Sequence, residues 1–242
     1  MDLTHTVAVV TGASRGIGLA LSRRLVDAGA TVAGMARSGD DLERVAETLG
    51  DRFEPVVCDV TDAPAVKDAI DGVAERHGRL DVLVNNAGLG RFDDVDALEV
   101  DAWDVQVDTN LSGVFHCTRA AVPHMKAQGE ARPKDETAGF IVNVASIAGL
   151  IGNPTLSAYN ATKFGLRGFS DSIMKEIRPH GIKVSCLYPG SVDTGFGADA
   201  GHDANPDAMS PESIAAAIVH VLEAPHGTLI SEMVLRPMVG RK

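Results

Sequence analysis

The chain has 242 residues, 45% hydrophobic and 23% charged, with 25 glycines and few aromatics, which fits one large globular α/β domain or two small ones. A formal net charge of −11 argues against nonspecific binding to nucleic acid or an anionic membrane surface. No apolar run is long enough to cross a bilayer, and the opening MDLTHTVAVVTG lacks the regions of a secretory signal, so a cytoplasmic location is expected.

Short β-branched runs alternate with helical patterns along the chain. VAVVT (7–11) reads as a strand, and GIGLALSRRLVDAG as a helix ended by Gly29. ATVAGMA, a helix around Leu42–Leu49, and FEPVVCDV follow. A helix over Ala65–Arg76 leads to LDVLVN, and then to one long helix, about Ala102 to Gln128, that Pro123 should kink. FIVNVAS, a helix over Ala158–Arg178, KVSCLYP, a helix over Pro211–Leu222 and a strand near Met233–Leu235 complete the pattern. Ser210-Pro211-Glu212 carries a hydroxyl cap, a first-turn proline and an acid, a strong helix start.

Nearly continuous apolar strands separated by helices predict a doubly wound parallel sheet covered on both faces, in a single domain. The stretches 126–139 and 196–210 read as surface loops, the second long enough to be a lid over about 195–212. Cys58, Cys117 and Cys186 are odd in number, far apart and in apolar surroundings, which predicts reduced, packed thiols. With seven lysines, fifteen arginines and 33 acids, the surface should be acidic and solvated; adaptation to high salt is a sharper reading. The eight histidines are scattered, without H-E-x-x-H or a Cys/His cluster, so no metal is expected.

TGASRGIG (11–18) sits where the first strand turns into the first helix. Glycines there permit a tight turn and close approach of a pyrophosphate to a helix N-terminus. The same residues spell G-x-S-x-G, the nucleophile elbow of serine hydrolases, with Ser14 as nucleophile. Against that, only one strand precedes the turn, and no HGGG-like oxyanion segment exists. Ser172-Ile-Met-Lys175 matches S-x-x-K, but no S-D-N or K-T-G follows. At the end of the second strand, GMARSGDD places Arg37 and Ser38 where a basic turn accommodates the extra phosphate of NADP. Arg15 supplies a second guanidinium, and Asp40 and Asp41 read as first-turn residues of the next helix.

With the glycine loop, NNAG (85–88), Asn110, Ser146 and Tyr159/Lys163 in order, the chain resembles the short-chain dehydrogenase/reductase family from Val7 to the helix starting at Pro211. Its specificity lies in joint spacing, with Ser146 thirteen residues before Tyr159 in VASIAGLIGNPTLSAYNATK. The resemblance implies a Rossmann-type sheet of about seven strands. It implies that Gly12, Ser14, Gly16, Ile17 and Gly18 lie along the pyrophosphate and its ribose, and that Asp59 and Val60 flank adenine. Asn86, Ala87 and Gly88 would line the middle of the cofactor. Pro189 and Gly190 open the segment that would hold the nicotinamide amide through Val192 and Thr194. Asn110 would sit at a helix distortion holding a water.

The chemistry expected of Tyr159 and Lys163 follows from charge. When a hydride reaches a carbonyl carbon, the oxygen becomes negative and needs a proton donor. An ammonium about 4 Å away can favour a phenolate by up to about 4 kcal/mol at an effective dielectric of 20, before opposing desolvation. Lys163 is therefore expected to lower the Tyr159 pKa and hold ribose hydroxyls, with Ser146 orienting the substrate oxygen and water at Asn110 reloading the proton.

The expected walls are Leu89–Phe92, Ala148–Pro154, Leu156, Tyr188 and the chain from Gly195 onward. They suit a small carbonyl compound or secondary alcohol. Family resemblance in the C-terminal ISEMVLRPMVGRK favours small hydroxy acids and related carbonyls; a 3-oxoacyl-[acyl-carrier-protein] reductase is the alternative. A non-catalytic NADPH-binding regulator is a third reading, which would not require Ser146, Tyr159 and Lys163. The family also implies a homodimer or homotetramer through the two long helices.

Overall fold

The computed structural model describes residues 1–133, 136–196 and 206–238. Seven parallel strands form one sheet in the order β3-β2-β1-β4-β5-β6-β7. They are β1 (Val7–Thr11), β2 (Thr31–Ala36), β3 (Phe53–Val57), β4 (Val82–Asn85), β5 (Gly139–Val144), β6 (Ile182–Pro189) and β7 (Glu232–Leu235). The inner strands β1, β4, β5 and β6 are buried at every residue, because helices cover both faces. Pro55, which cannot donate to a ladder, lies in the edge strand β3.

One face carries α1 (Gly16–Asp27), α2 (Gly39–Leu49) and α7 (Pro211–Leu222), whose Leu21, Leu25, Leu42, Ile214 and Ile218 pack with Ala8, Val10 and Val84. Against the other face lie α3 (Ala63–His77), α5 (Gly113–Ala131) and α6 (Ser157–Ile177). Val66, Ile70, Cys117, Met125 and Ile177 pack there with Val9, Leu83 and Ile141. Alternate residues of each strand supply the two faces, as a two-residue period requires. All three cysteines are free and buried. The Ser210 hydroxyl caps α7 by accepting from the Ser213 amide at 3.2 Å.

The expected single helix over 102–128 is instead two, and the break is not at Pro123. α4 (Val100–Val107) passes into a π turn, Asp108–Ser112, before α5 resumes with Pro123 inside it. β1 lies between β2 and β4, so the chain leaves it toward one side of the sheet and later returns on the other. That switch point opens a crevice at the carboxyl ends of the strands. Of the expected lid, residues 197–205 lie outside the described residues.

Candidate active site

The crevice is floored by the turn from β1 into α1. Gly12 and Gly16 have φ of 66° and 56°, which side chains other than glycine rarely adopt. Gly18 has no room for more: a Cβ would stand 2.2 Å from the Gly12 carbonyl oxygen. Ser14 and Ile17 lie on the same turn, half-buried. Arg15, at the N-cap of α1, makes no side-chain capping bond, and the first turn holds no acid. Amides at such a terminus suit an anion such as a pyrophosphate.

The neighbouring strand end is tied to this loop by Thr11, a residue the sequence reading did not single out. Its hydroxyl accepts from the amides of Asn86 and Ala87, both at 2.9 Å. Asn86 in turn donates through Nδ2 to the Thr11 carbonyl at 2.8 Å. Gly88 lies beyond, where a Cβ would meet Asn110 Oδ1 at 3.1 Å and Lys163 Nζ at 3.8 Å. The end of β4 is thus held against both the glycine loop and the Asn110–Lys163 cluster.

Asn110 lies inside the π turn and is fully buried. Its carboxamide accepts from the Leu89 amide at 2.9 Å, and donates to the Leu89 carbonyl at 2.8 Å and to Thr162 Oγ1 at 3.3 Å. The expected helix distortion is present.

Ser146, just after β5, and Tyr159 and Lys163, on α6, complete the cluster. Tyr159 is 9% and Lys163 4% exposed. The ammonium lies 5.6 Å from the centre of the Tyr159 ring and donates to the Val144 carbonyl at 3.1 Å. Burial pushes the Tyr159 phenol up from 10.0 to about 12, with the Ser146 hydroxyl pulling the other way. Burial also pulls Lys163 down from 10.5 to about 8. The expected lowering of the phenol by Lys163 is therefore not found. Desolvation dominates, and the ammonium is bonded to a backbone carbonyl instead. A neutral phenol in this state is a proton donor, not a base.

Ser146 also accepts from the Ala148 amide at 3.1 Å, starting the turn of Ile147–Gly149. Asn160, between Tyr159 and Lys163, grips that wall: its carboxamide donates to the Ala148 and Ile151 carbonyls at 2.5 and 2.7 Å. It accepts from the Asn153 amide at 3.2 Å.

Other predicted residues fall around the crevice. Arg37 is exposed beyond the end of β2, and Ser38 caps α2, accepting from the Asp41 amide at 3.3 Å. The Asp41 carboxyl is held below its usual value, first by Ser38, then by Arg44 and, more weakly, by Arg15, so Arg15 is within electrostatic reach of this edge. Asp40 and Asp41 occupy the first turn of α2, as expected.

Asp59 accepts from the Thr61 amide and hydroxyl, both at 2.9 Å, and the Val60 carbonyl meets His116 Nδ1 at 3.0 Å. Pro189 ends β6, and the Gly190 amide donates to Leu235 at 2.8 Å. Val192 bridges to Met209, and Thr194 packs where a Cβ on Gly16 would meet it at 3.0 Å.

Two expectations change. Tyr188 is no pocket wall: it is fully buried with Val114, Leu166 and Cys186, and its hydroxyl donates to Glu232 at 2.8 Å. Among the described residues no hydrogen bond joins Ser14 to a histidine; those found join His77, His116, His124 and His226 to other partners. Ser172 and Lys175 are exposed on α6, with Lys175 paired to Asp171.

The short chain dehydrogenase family matches residues 6–205 of this chain. The chain belongs to that family and is an oxidoreductase. A relative from Staphylococcus epidermidis, described as an uncharacterized oxidoreductase, is 32% identical over 234 residues, covering 96% of this chain and 97% of its own. The structure of an alcohol dehydrogenase from the archaeon Thermococcus sibiricus, complexed with 5-hydroxy-NADP, is similar with a TM-score of 0.88 at 31% identity, covering 98% of this chain and 99% of that one. A 3-ketoacyl-(acyl-carrier-protein) reductase from Brucella melitensis, complexed with NADH, gives 0.87 at 29% identity, covering 97% of each chain.

Proposed function

We propose that this protein is an NADP(H)-dependent oxidoreductase that interconverts a carbonyl compound and a secondary alcohol, with a small ketone or hydroxy acid as substrate. The observation that carries this reading is the cluster of Asn110, Tyr159 and Lys163, all buried, with the half-buried Ser146 bonded to Tyr159, set against a glycine turn with no room for a Cβ at Gly18. A nicotinamide cofactor bound in the crevice supplies the hydride. The chain's own residues do the rest.

Gly12, Ser14, Gly16, Ile17 and Gly18 bind the pyrophosphate and its ribose, with Asp59 and Val60 beside the adenine. Asn86, Ala87 and Gly88 line the middle, and Pro189, Gly190, Val192 and Thr194 hold the carboxamide end. Arg15, Arg37 and Ser38 grip the second phosphate, a reading supported by their common edge and by the NADP derivative in the archaeal neighbour. The NADH in the Brucella reductase marks NAD as the competing choice.

Ser146 orients the substrate oxygen and Tyr159 gives it a proton in reduction, or takes one in oxidation. Lys163 and the water-holding turn at Asn110 return the proton. The protein acts as a homodimer or homotetramer through α4–α6, where Trp103, Phe115 and Phe164 remain 41, 48 and 43% exposed. No helix among the described residues is long and apolar enough to cross a membrane.

A screen of ketones, 3-oxo esters and hydroxy acids, following NADPH absorbance, tests the reading. Turnover that disappears in Tyr159→Phe while NADPH still binds is expected. NADPH binding without turnover of any compound would point to a regulator, and ester cleavage lost in Ser14→Ala to a hydrolase.

A further inference from the structure

Resting on the oxidoreductase part of that reading, the wall beside Tyr159 narrows its two substrate classes to the ketone and sets the hydroxy acid aside. Gly90 is buried where two phenyl rings meet: a Cβ there would stand 2.6 Å from Phe92 Cζ and 3.1 Å from Phe196 Cζ. The rings lie 6.4 Å apart. Both pack on Tyr159, Phe92 edge-on at 5.5 Å and Phe196 tilted at 5.6 Å. The proposed proton donor is thus walled by aromatic rings from two distant segments.

The backbone leading to Phe92 is held by two carboxamides. Asn110 pairs with both backbone groups of Leu89. Gln106, fully buried one helical turn earlier, does the same to Arg91, accepting from its amide at 3.1 Å and donating to its carbonyl at 3.1 Å. It also donates to the Ala102 carbonyl of α4 at 2.9 Å. Leu89 and Arg91 are two residues apart, the spacing at which a strand repeats, so the side chains of α4 and the π turn act as the neighbouring strand. Fixing Arg91 fixes the backbone that carries Phe92.

The rim beyond is acidic. Asp93, Asp94, Asp96, Glu99 and Asp101 are exposed, and no Lys, Arg or His occurs between Phe92 and Phe115. The Asp93 amide donates to the Thr155 carbonyl at 3.0 Å, bringing this rim against the Ser146–Leu156 wall. The adjacent cation, Arg91, donates to the Gly90 carbonyl at 2.9 Å.

We propose that the substrate is an uncharged ketone, or the matching alcohol, whose aryl or bulky alkyl group packs against Phe92 and Phe196, that carboxylate-bearing carbonyl compounds are disfavoured, and that Gln106 is a positioning residue for this wall. A flat apolar group gains contact with the rings. A carboxylate would lose hydration beside them and meet a negative rim whose repulsion salt screens over about 10 Å.

The test compares an aryl 2-oxo ester with its 2-oxo acid, and with the methyl 2-oxo ester, in wild type, Phe92→Ala and Gln106→Leu. In wild type, kcat/KM for the aryl ester should exceed that for the acid by at least about tenfold, and added salt should narrow the gap. Phe92→Ala should lower kcat/KM for the aryl ester about tenfold and for the methyl ester by less than about twofold. Gln106→Leu should raise KM for the aryl ester while leaving KM for NADPH unchanged, which general destabilisation would not do. An acid used as well as the ester, or an equal loss on both esters in Phe92→Ala, overturns the proposal. If no carbonyl compound turns over, calorimetry with the same ester and acid decides. Ester-selective binding upholds the wall and refutes the proposed carbonyl–alcohol chemistry; acid-selective binding, or none, refutes the wall.

Discussion

Asp81 and Lys163, at opposite ends of the sheet, are buried in opposite ways. At the amino ends of the strands, Asp81 is fully buried, yet its carboxylate accepts from Arg79 at 2.6 and 2.8 Å, from Arg132 at 2.8 Å and from the Val7 amide at 2.9 Å. Two cations and a backbone donor surround one anion, and the cluster ties β1 and β4 to the end of α5. At the carboxyl ends, Lys163 is as deeply buried, but among the described residues it has a backbone carbonyl and no carboxylate. Tyr159 beside it pays desolvation with one hydroxyl in opposition. A buried charge that is fully partnered holds a structure together; one left short of partners is available for chemistry.

Substitutions at the two ends should therefore fail differently. Tyr159→Phe should lower kcat by about 10² to 10⁴ and leave the unfolding free energy nearly unchanged. Asp81→Asn should do the reverse, costing about 3–5 kcal/mol in chemical denaturation while the folded fraction keeps its kcat. Equal effects of either variant on both quantities would erase the distinction between the ends.

A smaller change is expected at the rim of the cofactor crevice. Arg37→Ala should raise KM for NADPH about tenfold and leave KM for NADH alone. A KM for NADH at or below that for NADPH in the wild type would overturn the NADP assignment.

A further effect is linkage to pH. Lys163 is lowered from 10.5 to about 8 in the fold, so between those values the unfolded chain binds more protons and stability rises with pH. Tyr159 is raised from 10.0 to about 12, so in that window the folded chain keeps a proton the unfolded one loses, and stability falls. Denaturation curves of Lys163→Met should lose the first slope and keep the second.

Much of the fold was legible because apolar runs and helical periods report burial directly. The strand VAVVT and the helix Pro211–Leu222 end where their residues and caps place them. The π turn was not legible in the helical period, which continues through Asp108–Ser112; only the family resemblance placed a distortion at Asn110, and it depends on what Asn110 meets in another segment. Gln106, which no motif or spacing singles out, is fully buried. Thr11 is an ordinary strand end until the Asn86 and Ala87 amides are brought to it.

The site was legible as a set of positions and less so as an electrostatic environment. Spacing brought Tyr159 and Lys163 to one helix face, but the sign of the phenol's shift depends on tertiary burial and on the Val144 carbonyl. Tyr188, the other tyrosine, shows the same limit: the strand supplies it to a core beside Glu232, not to the pocket.

The most direct test titrates Tyr159 in the free protein and with NADP⁺ bound, by NMR of ring-labelled tyrosine. The chain has two tyrosines, so Tyr159→Phe identifies the signal. The free protein should show a neutral Tyr159 throughout about pH 7–10, and the positive nicotinamide ring should bring phenolate formation into that range. A phenolate in the free protein within that range, or a titration unmoved by NADP⁺, would contradict the account.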